Sequence, residues 1–264
     1  MSRKAPSKVK DLLALRLRLH RLQPSRPLRD ARRAAEFVKE RRIVMSTGRA
    51  SLPLLTEAIA GRHLAGSWMA HPEVNRIYNI LGELGKYDVV TAPLILGKEA
   101  ELDASLGPAV ERVASDPERR DTVRRRLPPL ARRLLDQVEA QGRVRMDHWG
   151  VDTKRARPAR LLLERELMLA SASIHTESGY HTSIVVPWAA SRFSQRFSKE
   201  AARLTFEEAQ GALLLAAVRS AVIAPEREVR RWFVFEASRI DPLLALSTLE
   251  RLTADGRTWL TCQQ

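Results

Sequence analysis

Two histidines and a carboxylate lie close together in the stretch His175-Thr-Glu177-Ser-Gly179-Tyr-His181. Imidazoles and carboxylates bind metal ions, but a fourth ligand is not evident, and no spacing on a hairpin forces the two imidazoles together. The Ser178-Gly179 pair is typical of a turn, which favours a polar hairpin tip. Such a tip either contacts nucleic acid, with His181 as the contact, or is a solvated turn. If the chain is an enzyme, Glu177 and His175 are its candidate catalytic groups.

A second set of residues is strongly basic. It comprises Arg124, Arg125, Arg126, Arg132, Arg133, Lys154, Arg155, Arg157 and Arg160. The last four begin a predicted helix, where free backbone N–H groups and guanidinium forks suit phosphate groups. Early residues of the recognition helix in a helix-turn-helix unit also face base edges in the major groove. We therefore predict that this set contacts DNA. The alternative is a solvated surface with ion pairs to Asp136, Asp152 and Glu164.

A third candidate site is the segment Gly66-Ser-Trp68-Met-Ala-His71-Pro72. An aromatic ring and an imidazole at this place, Trp68 and His71, can line a pocket or stack on a base. The alternative, which the sequence favours, places Trp68 as a core residue between two helices.

Motifs of several enzyme classes are absent from the sequence. It has no Gly-x-Ser-x-Gly, no Gly-rich phosphate loop, no His-Glu-x-x-His and no dinucleotide fingerprint. A single cysteine, Cys262, makes neither an internal disulfide nor a zinc knuckle and favours a reducing compartment. We expect no metal and no cofactor.

The elements that must position these residues follow a recurring plan. Helices are predicted over residues 28–44, 52–60 and 72–84, and short β-runs over 88–91, 93–96 and 99–102. Three helices followed by a hairpin are the plan of a winged helix-turn-helix module.

The same plan is predicted twice more along the chain. The second copy has helices over 130–141 and from 152 or 153 to 167, and strands over 168–174 and 181–186. The third has helices over 206–223, 226–235 and 242–253 and one strand over 257–262. The predicted organisation is a basic helical arm and linker (1–27), winged-helix modules at 28–105 and 106–187, and a helical or incomplete winged-helix module at 205–264. The predicted fold class is mainly α with small β-hairpins (α+β), as tandem winged helix-turn-helix modules.

Charge is distributed unevenly along the chain. Residues 1–50 carry 15 basic and 4 acidic side chains, residues 51–110 carry 4 and 7, and residues 111–165 carry 15 and 9. Such blocks predict localised polyanion-binding surfaces, with duplex DNA as the expected partner and RNA as an open alternative. No apolar run is long enough for a spanning helix, and no apolar core of a secretory signal follows the basic N-terminus. We expect a cytoplasmic, nucleoid-associated monomer that does not bind membranes.

Short motifs spread over residues 29–186 resemble those of a bacterial protein family. They are Leu52-Pro53 with Glu57-Ala-Ile-Ala-Gly61, Gly66-Ser-Trp68 with His71-Pro72, Leu96-Gly-Lys98, and His175-Thr-Glu-Ser-Gly179 with His181. The set is similar to that of AlkZ-related proteins, relatives of the AlkZ/YcaQ-type DNA glycosylases. The resemblance implies tandem winged helices that bind DNA. In the glycosylases this scaffold excises alkylated bases, including crosslinked ones.

The chain departs from the family pattern at several places. The family has Trp-Trp where this chain has Trp68-Met69, and a His-Arg pair with a Trp where it has Ala104-Ser-Leu-Gly107. The Gln-x-Gln or Gln-x-Asp motif, by which the glycosylases position water, does not occur. We therefore expect a duplex DNA-binding protein in repair or protection from alkylation damage, without that catalytic motif. The alternatives are a glycosylase of alkylated bases with an atypical active site, a winged-helix transcription regulator, or an RNA-binding protein.

Overall fold

The fold is described from a computed structural model. The structure describes residues 4–176, 179–233, 237–245 and 248–262. Glu177, the first of the two catalytic candidates, lies outside the described residues. The chain forms two compact units, which we call unit 1 (Met1–Leu106 with Gln210–Gln264) and unit 2 (Gly107–Ala209).

One order of elements occurs three times, and it reads helix, strand, helix, helix, strand, strand. Helix α1 (Lys4–Leu19) precedes the first set, which is α2 (Ala31–Arg41), β1 (Ile43–Met45), α3 (Leu55–Ala60), α4 (Val74–Glu83), β2 (Val89–Ile95) and β3 (Lys98–Asp103). Helices α5 (Gly107–Ser115) and α6 (Pro117–Arg126) lead to the second set, which is α7 (Pro129–Gln141), β4 (Val144–Arg145), a 3-10 turn (Met146–His148), α8 (Thr153–Arg165), β5 (Leu169–His175) and β6 (His181–Pro187). Helix α9 (Arg192–Ala201) precedes the third set, which is α10 (Phe206–Ala221), β7 (Ala224–Pro225), α11 (Glu226–Val229), α12 (Ala237–Leu244), β8 (Leu249–Ala254) and β9 (Arg257–Cys262).

Each set forms a three-stranded antiparallel sheet with its last strand in the middle. The strand orders are β1-β3-β2, β4-β6-β5 and β7-β9-β8. The first strand thus pairs with the last, and the last two form the hairpin called the wing. The predicted fold class, a mainly α chain with small β-hairpins (α+β), is therefore confirmed, and the assignment of the three sets as winged helices stays a prediction. The predicted boundaries at 28–105, 106–187 and 205–264 stay a prediction.

The first helix of the first set ends earlier than the sequence predicted. Asp30 caps α2 by accepting a hydrogen bond from the Arg33 backbone N–H (2.8 Å), and the helix ends before Arg42, whose φ is +73°. The predicted helix over 28–44 is therefore wrong at its end, where β1 pairs with β3. Isoleucine and valine in β1 are β-branched and favour a strand once a partner strand is present.

The wing of the first set consists of two strands rather than three short runs. The predicted runs over 88–91 and 93–96 form one strand, β2, and the predicted run over 99–102 is its partner, β3. Pro93 lies inside β2, where the pairing shifts register between Ala92 and Ile95. A proline cannot donate a ladder hydrogen bond, so a local irregularity at this position is expected.

The third set has a complete wing, which corrects the prediction of an incomplete one. The predicted helix over 242–253 is wrong at its end, since α12 ends at Leu244 and residues 249–253 belong to β8. The pairing of β8 with β9 runs from Leu249 opposite Cys262 to Ala254 opposite Arg257. Leucine and alanine favour a helix intrinsically, but pairing with a neighbouring strand outweighs that small preference.

Unit 1 contains a core in its first set of elements and a second core beneath α1. In the first, α2, α3 and α4 pack through Phe37, Leu55 and Ile77, among others. In the second, Val9 and Leu12 of α1 pack against residues of the third set that include Val222, Ile223, Leu252 and Ala254. The predicted basic arm is therefore part of a core. Tyr78 of α4 is 70% exposed.

Unit 2 contains the core that supports α8. Helices α7 and α8 pack together with Val185 of β6 through residues that include Leu134, Leu135, Val138, Ala156 and Leu163. Pro158 lies in the second turn of α8. Within the described residues, no helix is both long enough and apolar enough to cross a membrane.

His20, directly after α1, is a buried histidine in unit 1. Its side chain is 7% exposed, and Nε2 lies 3.1 Å from the Ser220 carbonyl oxygen. Burial lowers the pKa of His20 to about 4, and the nearby Arg16 and Arg41 guanidinium groups act in the same direction, whereas the hydrogen bond to Ser220 opposes the shift. The ring is therefore neutral in the folded protein at pH 7.

This lowered pKa predicts acid-sensitive stability. The free energy of unfolding should be constant above about pH 6.5 and fall by about 3 kcal/mol as the pH drops to about 4, because only the unfolded state binds the proton in that window. His20→Gln keeps a neutral donor and cannot titrate. The fall in its free energy of unfolding between neutral and acidic pH should therefore be smaller by about 3 kcal/mol. Urea unfolding of both proteins at neutral and acidic pH measures the difference. An equal loss in the two proteins would contradict the prediction.

Candidate nucleic-acid interface

The N-terminal half of α8 presents three basic side chains to solvent. Asp152 caps the helix by accepting a hydrogen bond from the Lys154 backbone N–H (2.9 Å). The core-facing residues of α8 are Ala156, Ala159 and Leu163. Lys154, Arg155 and Arg157 are exposed, and within the described ranges none of their side chains has a hydrogen-bond or ion-pair partner. Three free cations therefore surround a helix N-terminus, which itself favours anions.

Arg160, the fourth predicted contact of α8, is already neutralised by its own helix. Its guanidinium donates to the Glu164 carboxylate (2.6 Å) and lies 3.3 Å from the Ser171 hydroxyl of β5. The side chain is only partly exposed. The ion pair with Glu164 is the alternative that the sequence had left open.

Arg124 is also held by carboxylates. It donates to Asp136 (2.8 Å) and Glu139 of α7, and the hydrogen bond that it donates to Glu139 raises the pKa of Arg124. Arg132 lies close to main-chain oxygens, at 3.2 Å from the Arg125 carbonyl. Two members of the predicted α6–α7 basic set therefore stabilise the packing of these helices.

The three remaining members of the predicted α6–α7 basic set are solvent-exposed. Arg125 contacts the Thr122 hydroxyl (3.4 Å), and Arg126 and Arg133 are exposed. Arg133 has no ion pair with any residue that the structure describes. These side chains remain predicted phosphate contacts.

The wing formed by β5 and β6 brings two predicted residues into contact. The register pairs His175 with His181, and the two imidazole centroids are 4.1 Å apart. The sequence analysis found nothing that forces these rings together, but a hairpin places opposed residues side by side. Tyr180 beside them is 76% exposed. Among the residues described, no group of three metal-ligating side chains occurs.

The structure places Trp68 and His71 in the packing of the first set. Trp68 is partly buried and packs against the core formed by α2, α3 and α4. The Nε2 atom of His71 lies 2.9 Å from the Ala65 carbonyl oxygen, which holds the loop before α4. This placement corresponds to the core alternative for Trp68.

The chain shows little similarity to known proteins. No protein-family model matches it, and no curated protein matches it. Among solved structures it is similar to the Streptomyces sahachiroi DNA glycosylase AlkZ, with a TM-score of 0.45 and 12% identity, over 96% of this chain and 69% of that one. A likeness at this level does not bear on the activity of this chain, which has to be inferred from its own residues.

One basic residue near α8 has a structural role that the sequence analysis missed. Arg119 is buried and donates to the Glu166 main-chain carbonyl (2.8 Å), and its guanidinium lies 3.6 Å from the Glu166 carboxylate. Burial lowers the pKa of Arg119. Arg119 therefore holds the C-terminal end of α8, while the free cations lie at the N-terminal end. Since 47 residues separate the partners, no local sequence pattern could have indicated this contact.

Proposed function

We propose that the chain binds duplex DNA through unit 2, with the N-terminal half of α8 in a groove and the β5–β6 wing against the backbone. The observation that carries this proposal is that Lys154, Arg155 and Arg157 are exposed without acidic partners, although other arginines of the unit are paired. Cations kept free near one end of a helix lose no ion pair when they bind phosphate. They therefore release counterions from DNA at little cost.

The position of α8 within its module supports this assignment. It is the last helix before the wing, which is the place of the recognition helix in a helix-turn-helix unit. Its counterpart α4 carries a single arginine, Arg76, whose guanidinium donates to the Ile59 carbonyl (3.0 Å). Of these two helices, α8 is the one suited to phosphate contact.

The biological role that we propose is repair of DNA or its protection from alkylation damage. The motifs at Glu57–Gly61, Trp68, Lys98 and His175–His181 support it through their resemblance to AlkZ-related proteins. The glutamine motif of the active glycosylases is absent from the sequence. We therefore propose binding as the retained property and do not assign a catalytic residue.

Binding and base excision can be tested on one pair of duplexes. An N7-alkylated duplex and its unmodified copy are titrated with the protein at several salt concentrations and then treated with heat and alkali. We expect the logarithm of affinity to fall with the logarithm of salt concentration with a slope of about −3 or steeper, because each phosphate contact contributes about −0.9. We expect no strand breaks above the no-protein control.

Other outcomes of this experiment would contradict the proposed contacts or favour a different function. Affinity that does not change with salt would contradict phosphate contacts by α8. Strand breaks on the alkylated duplex alone would establish a glycosylase with an atypical active site. A strong preference for one palindromic sequence would favour a transcription regulator.

A further inference from the structure

We propose that unit 1 contains a second anion site, a cleft that binds phosphate groups through Arg49, Arg227 and Arg231. The cleft has a volume of about 580 Å³ and is lined by Arg49, Leu96, Pro225, Arg227, Glu228 and Arg231. It is formed by the first and third sets of elements and contains no residue of α8. The inference therefore goes beyond the DNA-binding surface proposed for unit 2.

Two hydrogen-bonded contacts build the cleft. The loop after β1, which carries Arg49, is held where the Ser51 backbone N–H and hydroxyl donate to the Glu228 carboxylate (2.5 and 2.8 Å). The wing turn after β2 is held where the Leu96 N–H donates to the Trp232 carbonyl (2.6 Å). Both contacts fix segments of the first set against α11 and the turn that follows it. The backbone segments that carry the three arginines are therefore positioned by the fold.

The wing turn adds rigidity to one wall of the cleft. Leu96 and Gly97 have φ values of +54° and +67°, a left-handed conformation that only glycine adopts without strain. Leucine in that conformation is held by the surrounding contacts, of which its N–H bond to Trp232 is one. Leu96 remains 37% exposed and gives the cleft an apolar surface beside its charges.

The charges of the cleft are not balanced by the protein. Arg49, Arg227 and Arg231 are exposed, and no residue in the described ranges forms an ion pair with any of them. The one lining carboxylate, Glu228, already accepts from Ser51 and also from Trp232 Nε1 (3.0 Å). Three guanidinium groups thus share one cleft with a single carboxylate that other donors occupy.

The neighbouring arginine shows that pairing is available in this segment. Arg230 lies between Arg227 and Arg231 in sequence, and it is bound by both Glu226 (2.7 Å) and Asp241. The three arginines that line the cleft have no such carboxylate partners among the described residues. Unbalanced like charges in a cleft repel one another and attract an anion, which the planar forks of arginine bind in a bidentate manner when it is a phosphate.

The chemistry of the cleft indicates a phosphate carried by an organic group. Several guanidinium forks suit a doubly charged phosphate or neighbouring phosphates, and the apolar surface of Leu96 and Pro225 can pack against a sugar or base. Two sources share this chemistry, the backbone of a nucleic acid and a free nucleotide. The two are distinguished by experiment.

The test uses the full chain with inorganic pyrophosphate as the probe, measured by isothermal titration calorimetry at low salt. Arg227→Gln/Arg231→Gln should weaken binding about 100-fold, because each of the two lost charged hydrogen bonds is worth about a factor of ten. Arg230→Gln is the matched control, since it removes an exposed but paired arginine of the same segment and should change affinity less than about twofold. Absence of pyrophosphate binding by the unaltered protein would overturn the proposal, as would an equal loss in both variants.

A second arm identifies the source of the phosphate and separates this site from unit 2. The same variants are titrated with ATP and with a short duplex, and pyrophosphate binding is repeated in a Lys154→Gln/Arg155→Gln/Arg157→Gln background. Weaker duplex binding by Arg227→Gln/Arg231→Gln would assign the cleft to a nucleic-acid backbone, and loss of ATP binding with unchanged duplex binding would assign it to a free nucleotide. Pyrophosphate binding should persist in the α8 background. Loss of pyrophosphate binding in that background would place the anion on α8 and overturn the proposal of an anion site in the cleft.

Discussion

Replacing Lys154, Arg155 and Arg157 together by glutamine should lower the affinity for duplex DNA roughly 100-fold near physiological salt, if each phosphate contact contributes about 1 kcal/mol. Glutamine keeps a polar side chain of similar length and favours the helix about as well. The slope of log affinity against log salt should become less negative by about 2.7 units, since three contacts are lost. Fluorescence anisotropy with a labelled duplex, over a series of salt concentrations, measures both quantities.

Paired arginines of unit 2 provide the matched controls for this experiment. Arg165→Gln removes an exposed arginine at the other end of α8 whose guanidinium contacts Glu166 (3.1 Å), and it should change affinity less than about twofold. Arg160→Gln should behave similarly, because Glu164 already neutralises that charge. A triple variant that binds as tightly as the unaltered protein would exclude α8 as the DNA contact. An equal loss in Arg165→Gln would indicate a diffuse charge effect instead.

Trp232→Ala should lower the free energy of unfolding of unit 1 by about 4 kcal/mol, the cost typical of truncating a buried aromatic side chain. Trp232 is completely buried, and its indole N–H donates to Glu228. Its removal leaves a cavity and removes one of the donors that hold this carboxylate. Urea unfolding followed by far-ultraviolet circular dichroism measures the change, and the transition should move to lower urea.

Trp232→Phe separates packing from the hydrogen bond. Phenylalanine retains most of the apolar volume and loses the indole N–H, so we expect a smaller loss, about 1 to 2 kcal/mol. A Trp232→Ala protein within about 1 kcal/mol of the unaltered one would mean that this part of unit 1 collapses around the deletion without penalty.

Much of the fold could be predicted because helices and turns leave local signals. The helix over 130–141 is found as α7, Pro129–Gln141, and its glycine stop adopts the left-handed conformation, with Gly142 at φ +74°. The strands of the three small sheets leave weaker signals because they are short and pair with distant parts of the chain. β1 has only three residues, and its partner β3 begins at Lys98. The helical composition of β8 likewise concealed a strand whose conformation depends on β9.

The sequence predicted which basic residues belong to the candidate site, but it predicted less well which of them are paired with carboxylates and which are free. The pairing of Arg160 with Glu164 follows from helical spacing and could be anticipated. The binding of Arg124 by Glu139 joins two helices across 15 residues, so no local rule indicates which arginines stay free. Arg49 and Arg227 lie far apart in sequence and were not singled out, because only the tertiary fold brings them to one cleft.

The packing of α1 on the third set has a consequence for synthesis of the chain. His20 and Ser220 are 200 residues apart, and Val9 and Leu12 are covered by residues beyond position 221. At a translation rate of about 5 to 20 residues per second, the apolar stripe of α1 waits roughly 10 to 40 seconds for the surface that buries it. During that interval the elements from α2 to β3 have already left the ribosome, whereas α1 still exposes its apolar residues to solvent. Holdase chaperones should therefore engage α1 until β8 and β9 emerge.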